Sequence, residues 1–104
     1  MMSIKIIIER KFKKKPVLAD CQVINKIRRN AIQQKGYITG ETLVNLKDNR
    51  VVVLSSWRSN TDWKTWEDSR ERAELEHELA HSLKQAAKIK VYNTSAVYKK
   101  ETFA

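Results

Sequence analysis

The chain has 104 residues, 41% of them hydrophobic, with only two glycines and one proline, and a formal net charge of +9. Such a length predicts one domain with a real but small core, for which self-association is the usual supplement, and the composition excludes a disordered or low-complexity chain. A single cysteine, Cys21, excludes an internal disulfide framework and a cysteine-based zinc site, as suits a reducing compartment.

The N-terminus MMSIKIIIER has a charged pair after a short apolar run and no small-residue cleavage site, so neither a signal peptide nor a membrane span is expected there, and the expected location is cytoplasmic. Ile4 to Phe12 alternates as a buried strand, with Ile4, Ile6 and Ile8 on one side and Ile7 on the other. The basic cluster Arg10, Lys11, Lys13, Lys14 and Lys15 follows; it suits a solvated loop, or an attraction for nucleic acid, an anionic membrane or an acidic small molecule. Pro16 fits the first position of a helix whose stripe at three- and four-residue spacing is Val17, Cys21, Ile24, Ile27 or Arg28, and Ala31, ending at Gly36. On that stripe Cys21 is expected to be inert core.

Tyr37 to Leu46 and Arg50 to Trp57 read as a hairpin around Lys47-Asp48-Asn49, with Val44, Leu46, Val51 and Val53 supplying the buried faces. Gly40 inside the first of these strands predicts a bulge or a close backbone approach. Ser59 with Asp62 three residues on resembles a capping box and opens a helix at about Asn60. A second helical run, about Arg70 to Ala86, buries Leu75, Leu79, Leu83 and Ala86. The two helices should part near Ser69, because in one continuous helix Trp66 would lie roughly 140° from Leu79. Ala87 to Tyr92 is the last strand, and the tail Ser95 to Ala104 offers a further extended piece through Val97 and Tyr98. The order strand, helix, strand, strand, helix pair, strand is the split βαβ pattern of an α+β ferredoxin-like fold with an antiparallel sheet, in a single domain with its core at about 4–92 and a tail at 93–104.

His77-Glu78-Leu79-Ala80-His81 is a literal H-E-x-x-H on a helix, the spacing that presents two imidazoles to zinc with a glutamate as base. The chain contains only these two histidines, with Lys84 and Ala87 where the extended motif needs glycine and a third histidine. Both histidines fall roughly 160° from Leu79 on the helical wheel, so a solvated face shared with Glu74 and Glu78 is expected, and no metal site.

All three tryptophans, Trp57, Trp63 and Trp66, fall between the end of one strand and the first turns of the next helix, which predicts a packed wall or pocket at that junction. With the Gly36-Tyr37 pair, the strand Val51 to Ser56 and Trp57-Arg58-Ser59 running on to Trp66, the chain resembles the antibiotic biosynthesis monooxygenase family over about Ile4 to Tyr92. The resemblance implies a dimeric α+β barrel in which two protomers pack their sheets face to face, each keeping a pocket between sheet and helices. Some members of that family oxygenate flat aromatic or quinol-type substrates with O2 and no metal or flavin. A haem-degrading branch binds haem instead, with an Asn on the first strand, a Trp on the second helix and a His on the next. Trp66 matches the pocket Trp, and His77 falls near the haem-ligand position, one residue late. The first strand offers Glu9 and Arg10 where that branch has Asn.

These correspondences make Trp66 and His77 the candidate catalytic residues and Arg58, Asn60 and Trp63 the candidate substrate contacts, with Trp57 structural. The expected function is cofactor-independent monooxygenation of a small flat aromatic in a homodimer. Haem binding, with basic side chains on the propionates, and non-enzymatic binding of a small molecule are the alternatives. RNA recognition is not expected: the same strand order serves RNA-binding domains, but those carry stacking aromatics on the first and third strands, and IKIIIE and RVVVLSS have none.

Overall fold

The computed structural model describes residues 3–94; the tail segment around Val97 and Tyr98 lies outside them. The elements are β1 (Ile4–Lys11), α1 (Leu18–Ile32), β2 (Tyr37–Asn45), β3 (Arg50–Trp57), α2 (Asn60–Glu67), α3 (Arg70–Ala80) and β4 (Lys88–Asn93). They form one antiparallel sheet in the order β2-β3-β1-β4, with the helices on one side. This is the α+β ferredoxin-like arrangement that the order of elements predicts.

Alternation along β1 decides the layering. Ile4, Ile6 and Ile8 point into the core, opposite Trp57, Ser55 and Val53 of β3, and they pack under Ile24, Ile27 and Ala31 of α1 and Leu75 and Leu79 of α3. Ile7, Leu54, Val52 and Leu43 occupy the opposite face of the sheet, interleaved with Lys5, Glu9 and Glu41. No described helix is long and apolar enough to cross a membrane.

Helix ends follow local hydrogen bonding more closely than composition. Helix α1 begins at Leu18 rather than Pro16, because the Asp20 carboxylate accepts the Val17 N–H (3.1 Å) and makes Val17 the N-cap. The helix ends at Ile32, before Gly36, whose φ of 86° instead turns the chain into β2. Ser59 caps α2 by accepting the Asp62 N–H (3.1 Å), and Ser69 caps α3 by accepting the Arg72 N–H (3.2 Å). The break near Ser69 therefore has a direct cause, a second N-cap.

Three expectations change. Helix α3 stops at Ala80, since the next residues leave it to pair with the end of β1: Lys13 donates to the Ser82 carbonyl (3.0 Å), Lys84 to that of Lys11 (2.8 Å), and Leu83 bridges Phe12. Leu83 is buried by this bridge, while Ala86 is exposed. Cys21 is exposed rather than core, because the first turns of α1 overhang the sheet, leaving Val17 60% and Leu18 74% accessible. Val44 and Leu46 are also exposed, since β2 is an edge strand whose far end runs past the helices. The turn itself is as expected, with Asn49 in the left-handed region at φ 58°.

Candidate functional site

Between the sheet and the helices lies a cavity of about 30 Å³, walled by Trp57, Trp63 and Trp66 with Ile24, Ile27 and Ala31 of α1. The tryptophans reach it from three successive structural positions: the last residue of β3, the first turn of α2 and the second turn of α2. Tyr37 and Trp57 meet edge to face (5.4 Å, 83°), as do Trp57 and Trp63 (5.7 Å, 66°). Gly40 makes this corner possible, because a Cβ there would strike the Tyr37 hydroxyl and the Leu54 carbonyl. The register also shifts between Tyr37 and Thr39, so both a bulge and a close approach occur in β2.

The charged groups of the wall among the described residues, Arg10 and Arg28, are both donors. Ser55 Oγ accepts the Trp57 indole N–H (3.1 Å), and Arg28 Nη2 donates to the Gly40 carbonyl (2.7 Å). Trp63 is 1% exposed, and its indole N–H has no acceptor among the described residues. Arg10, also 1% exposed, follows Ile8 on the inward face of β1 and lines the same cavity. Its Nε donates to Glu76 Oε1 (3.3 Å) and its Nη2 to Oε2 in a close forked pair. Arg72 Nη2 lies 3.3 Å from the same Oε2, and its guanidinium stands 5.7 Å over the Trp63 ring. Two guanidiniums thus share one carboxylate. Burial pushes the Arg72 guanidinium below its ordinary value; Glu76 opposes this, the Arg10 charge adds to it, and Glu67 and Asp68 contribute smaller attractions.

The sequence candidates separate cleanly in space. Trp66 and Trp63 are in the wall. Arg58 and Asn60 are exposed at the mouth of α2 and do not line the cavity. His77 is exposed on α3, because the helix turns Arg72, Leu75 and Leu79 inward, and it does not reach the cavity either. His81 is exposed as well, and no cluster of three metal-ligating side chains exists among the described residues. The polar machinery that the sequence reading missed is Arg10, Arg28, Arg72 and Glu76. A signal for it was present: Arg10 continues the period-two register of Ile4, Ile6 and Ile8, and Arg72 and Glu76 are four apart beside Leu75 and Leu79.

No protein-family model matches the chain, and no curated protein matches it. Solved structures do. A conserved protein of Methanosarcina mazei Go1 superposes with a TM-score of 0.81 at 16% identity, over 91% of this chain and 95% of that one. A Nitrosomonas europaea protein named by assignment to the antibiotic biosynthesis monooxygenases superposes with a TM-score of 0.79 at 14% identity, over 91% of each chain. The chain has the antibiotic biosynthesis monooxygenase fold. SnoaB, a cofactor-independent oxygenase from Streptomyces nogalater, shares this fold with a TM-score of 0.73 at 13% identity, over 92% of this chain and 94% of that one. Identities this low carry the architecture and leave the chemistry to be argued from the site.

Haem, the cofactor of the alternative reading, does not suit these residues. His77 is exposed on α3 and does not line the cavity, and the wall offers no other imidazole among the described residues.

Proposed function

We propose that this protein is an oxygenase that acts with O2 on a small, flat aromatic or quinol-type molecule, without metal or flavin, in a cytoplasmic homodimer. The observation that supports it most directly is the tryptophan-walled cavity between sheet and helices, in a fold shared with a cofactor-independent oxygenase. Trp66 is the stacking wall for the guest, and Trp63 the second wall.

The substrate must supply its own electrons. For an anthrone-type CH2 the balance is CH2 plus O2 giving C=O plus H2O: one oxygen atom enters the carbon centre, the other leaves as water with both hydrogens, and no external reductant is consumed. The cavity wall contains no carboxylate or imidazole to act as a base. The protein's contribution is then orientation and exclusion of water, which keeps a peroxide intermediate from being diverted.

A space of about 30 Å³ holds one or two waters, whereas pockets for ring-sized ligands run to about 300 Å³ or more. Admission of the substrate therefore requires a wall to yield. The outer sheet face, with Ile7, Val52, Leu54 and Leu43 among alternating charges, is the surface through which the homodimer would form.

The test is O2 uptake with anthrone and a naphthohydroquinone. Consumption should exceed the uncatalysed rate and fall sharply in Trp66→Ala. Uptake no faster than in buffer would refute the reading.

A further inference from the structure

The cavity and the protein surface are separated by an ion pair with one member on each side. Arg10 lines the interior cavity; Glu76, its partner, lines an open groove of about 540 Å³ between α3 and β4, together with Arg72, Ala80, Leu83 and Ile89. On the cavity side the charge is one-sided. Among the described residues Arg10 and Arg28 are the only charged ones in that wall, and Arg28 is satisfied by a backbone carbonyl rather than by a carboxylate. Behind Arg10, Glu76 is already shared with Arg72. The Nε and Nη2 groups of Arg10 are engaged by Glu76. Trp63, 1% exposed and part of the same wall, has an indole N–H with no acceptor among the described residues. A buried donor of this kind is normally matched, so the unpartnered Trp63 N–H in a wall whose two charges are both positive marks the place of a missing negative or acceptor group.

We propose that the guest of this site is a planar organic anion that enters from the groove between α3 and β4 and is held by Arg10, which passes from Glu76 to the guest's negative group while the Trp63 N–H supplies a second hydrogen bond. Glu76 is a positioning residue: it keeps the guanidinium extended in the empty site and competes with the incoming anion. An enolate, phenolate or carboxylate on a flat ring system has the required chemistry. The proposal rests on the reading of the cavity as the substrate site and adds the charge and the route of the substrate.

The test uses 2-naphthoate and its neutral isostere 2-naphthamide, titrated into the full-length protein at neutral pH with tryptophan emission as readout, since all three indoles line the cavity. Naphthoate should bind at least about tenfold more tightly than naphthamide, the size of effect that one charge-assisted hydrogen bond supplies. Arg10→Met should abolish that preference. Glu76→Gln, which keeps an acceptor for Arg10 but removes the competing charge, should strengthen naphthoate binding; a merely structural Glu76 would weaken or not affect it. Equal affinities for the two probes in the unmutated protein would overturn the proposal and leave the planar-guest site standing, as would a preference that survives Arg10→Met. Binding of neither probe would overturn the site reading and the proposal with it. If either variant fails to fold, the probe pair on the unmutated protein still decides.

Discussion

The shared carboxylate makes an asymmetric prediction about stability. Removing Glu76 as Glu76→Ala leaves two guanidiniums, Arg10 and Arg72, in a largely buried site without their common partner. Breaking a buried ion pair from one side costs about 3–5 kcal/mol, because the surviving charge stays desolvated. A domain of this size loses about 4–8 °C of Tm per kcal/mol, so Glu76→Ala should lower Tm by about 12 °C or more. Arg10→Met is different. The Arg72–Glu76 pair at 3.3 Å survives it, and the methionine fills much of the stem's volume among Ile8, Trp63 and Trp66, so the cost should stay below about 1.5 kcal/mol. Urea unfolding followed by circular dichroism at one fixed protein concentration measures both, and fixing the concentration removes any contribution from association. Equal costs for the two variants, or a larger cost for Arg10→Met, would refute the view that one carboxylate balances two cations.

Other substitutions test other parts of the argument. Gly40→Ala forces a methyl group against the Tyr37 hydroxyl and the Leu54 carbonyl and should cost about 1–3 kcal/mol by overpacking, visible as a lowered urea midpoint. Ser59→Ala removes the acceptor of the Asp62 N–H and should cost about 1 kcal/mol, and Ser69→Ala, the cap of α3, should behave alike. His77→Ala, on an exposed helix face, should change stability by less than about 0.5 kcal/mol and leave the absorption spectrum of a haem titration unaltered; a lost Soret shift would show that the imidazole ligates iron after all.

The architecture was legible because hydrophobic period and capping agree. The alternation of Ile4, Ile6 and Ile8, the run into Trp57, and the serines at 59 and 69 are local signals, and each sits where the backbone uses it. What escaped depends on distant partners. Leu83 continues the helical stripe of Leu75 and Leu79, yet the edge of β1 draws it into a bridge with Phe12. Cys21 lies on the apolar side of α1, but nothing in its own neighbourhood reveals that the sheet does not extend beneath it. The candidate site divides in the same way. Trp63 and Trp66 were found from their clustering, whereas Arg10 was read as part of a basic surface run, since its neighbours Lys11 and Lys13 to Lys15 concealed that its register turns it inward.

The place of β1 in the sheet bears on how the chain is made. This strand lies between β3 and β4, and its first residue, Ile4, faces Asn93 across the β4 side. During synthesis the isoleucines of β1 emerge well before β4, so one of their two edges must wait for β4 to leave the ribosome. Until then a sticky apolar ribbon is kept open, the type of exposed edge that invites wrong partners and chaperone attention. Truncation before Lys88 would therefore strip β1 of its whole pairing with β4, so the native sheet cannot close until β4 has been made.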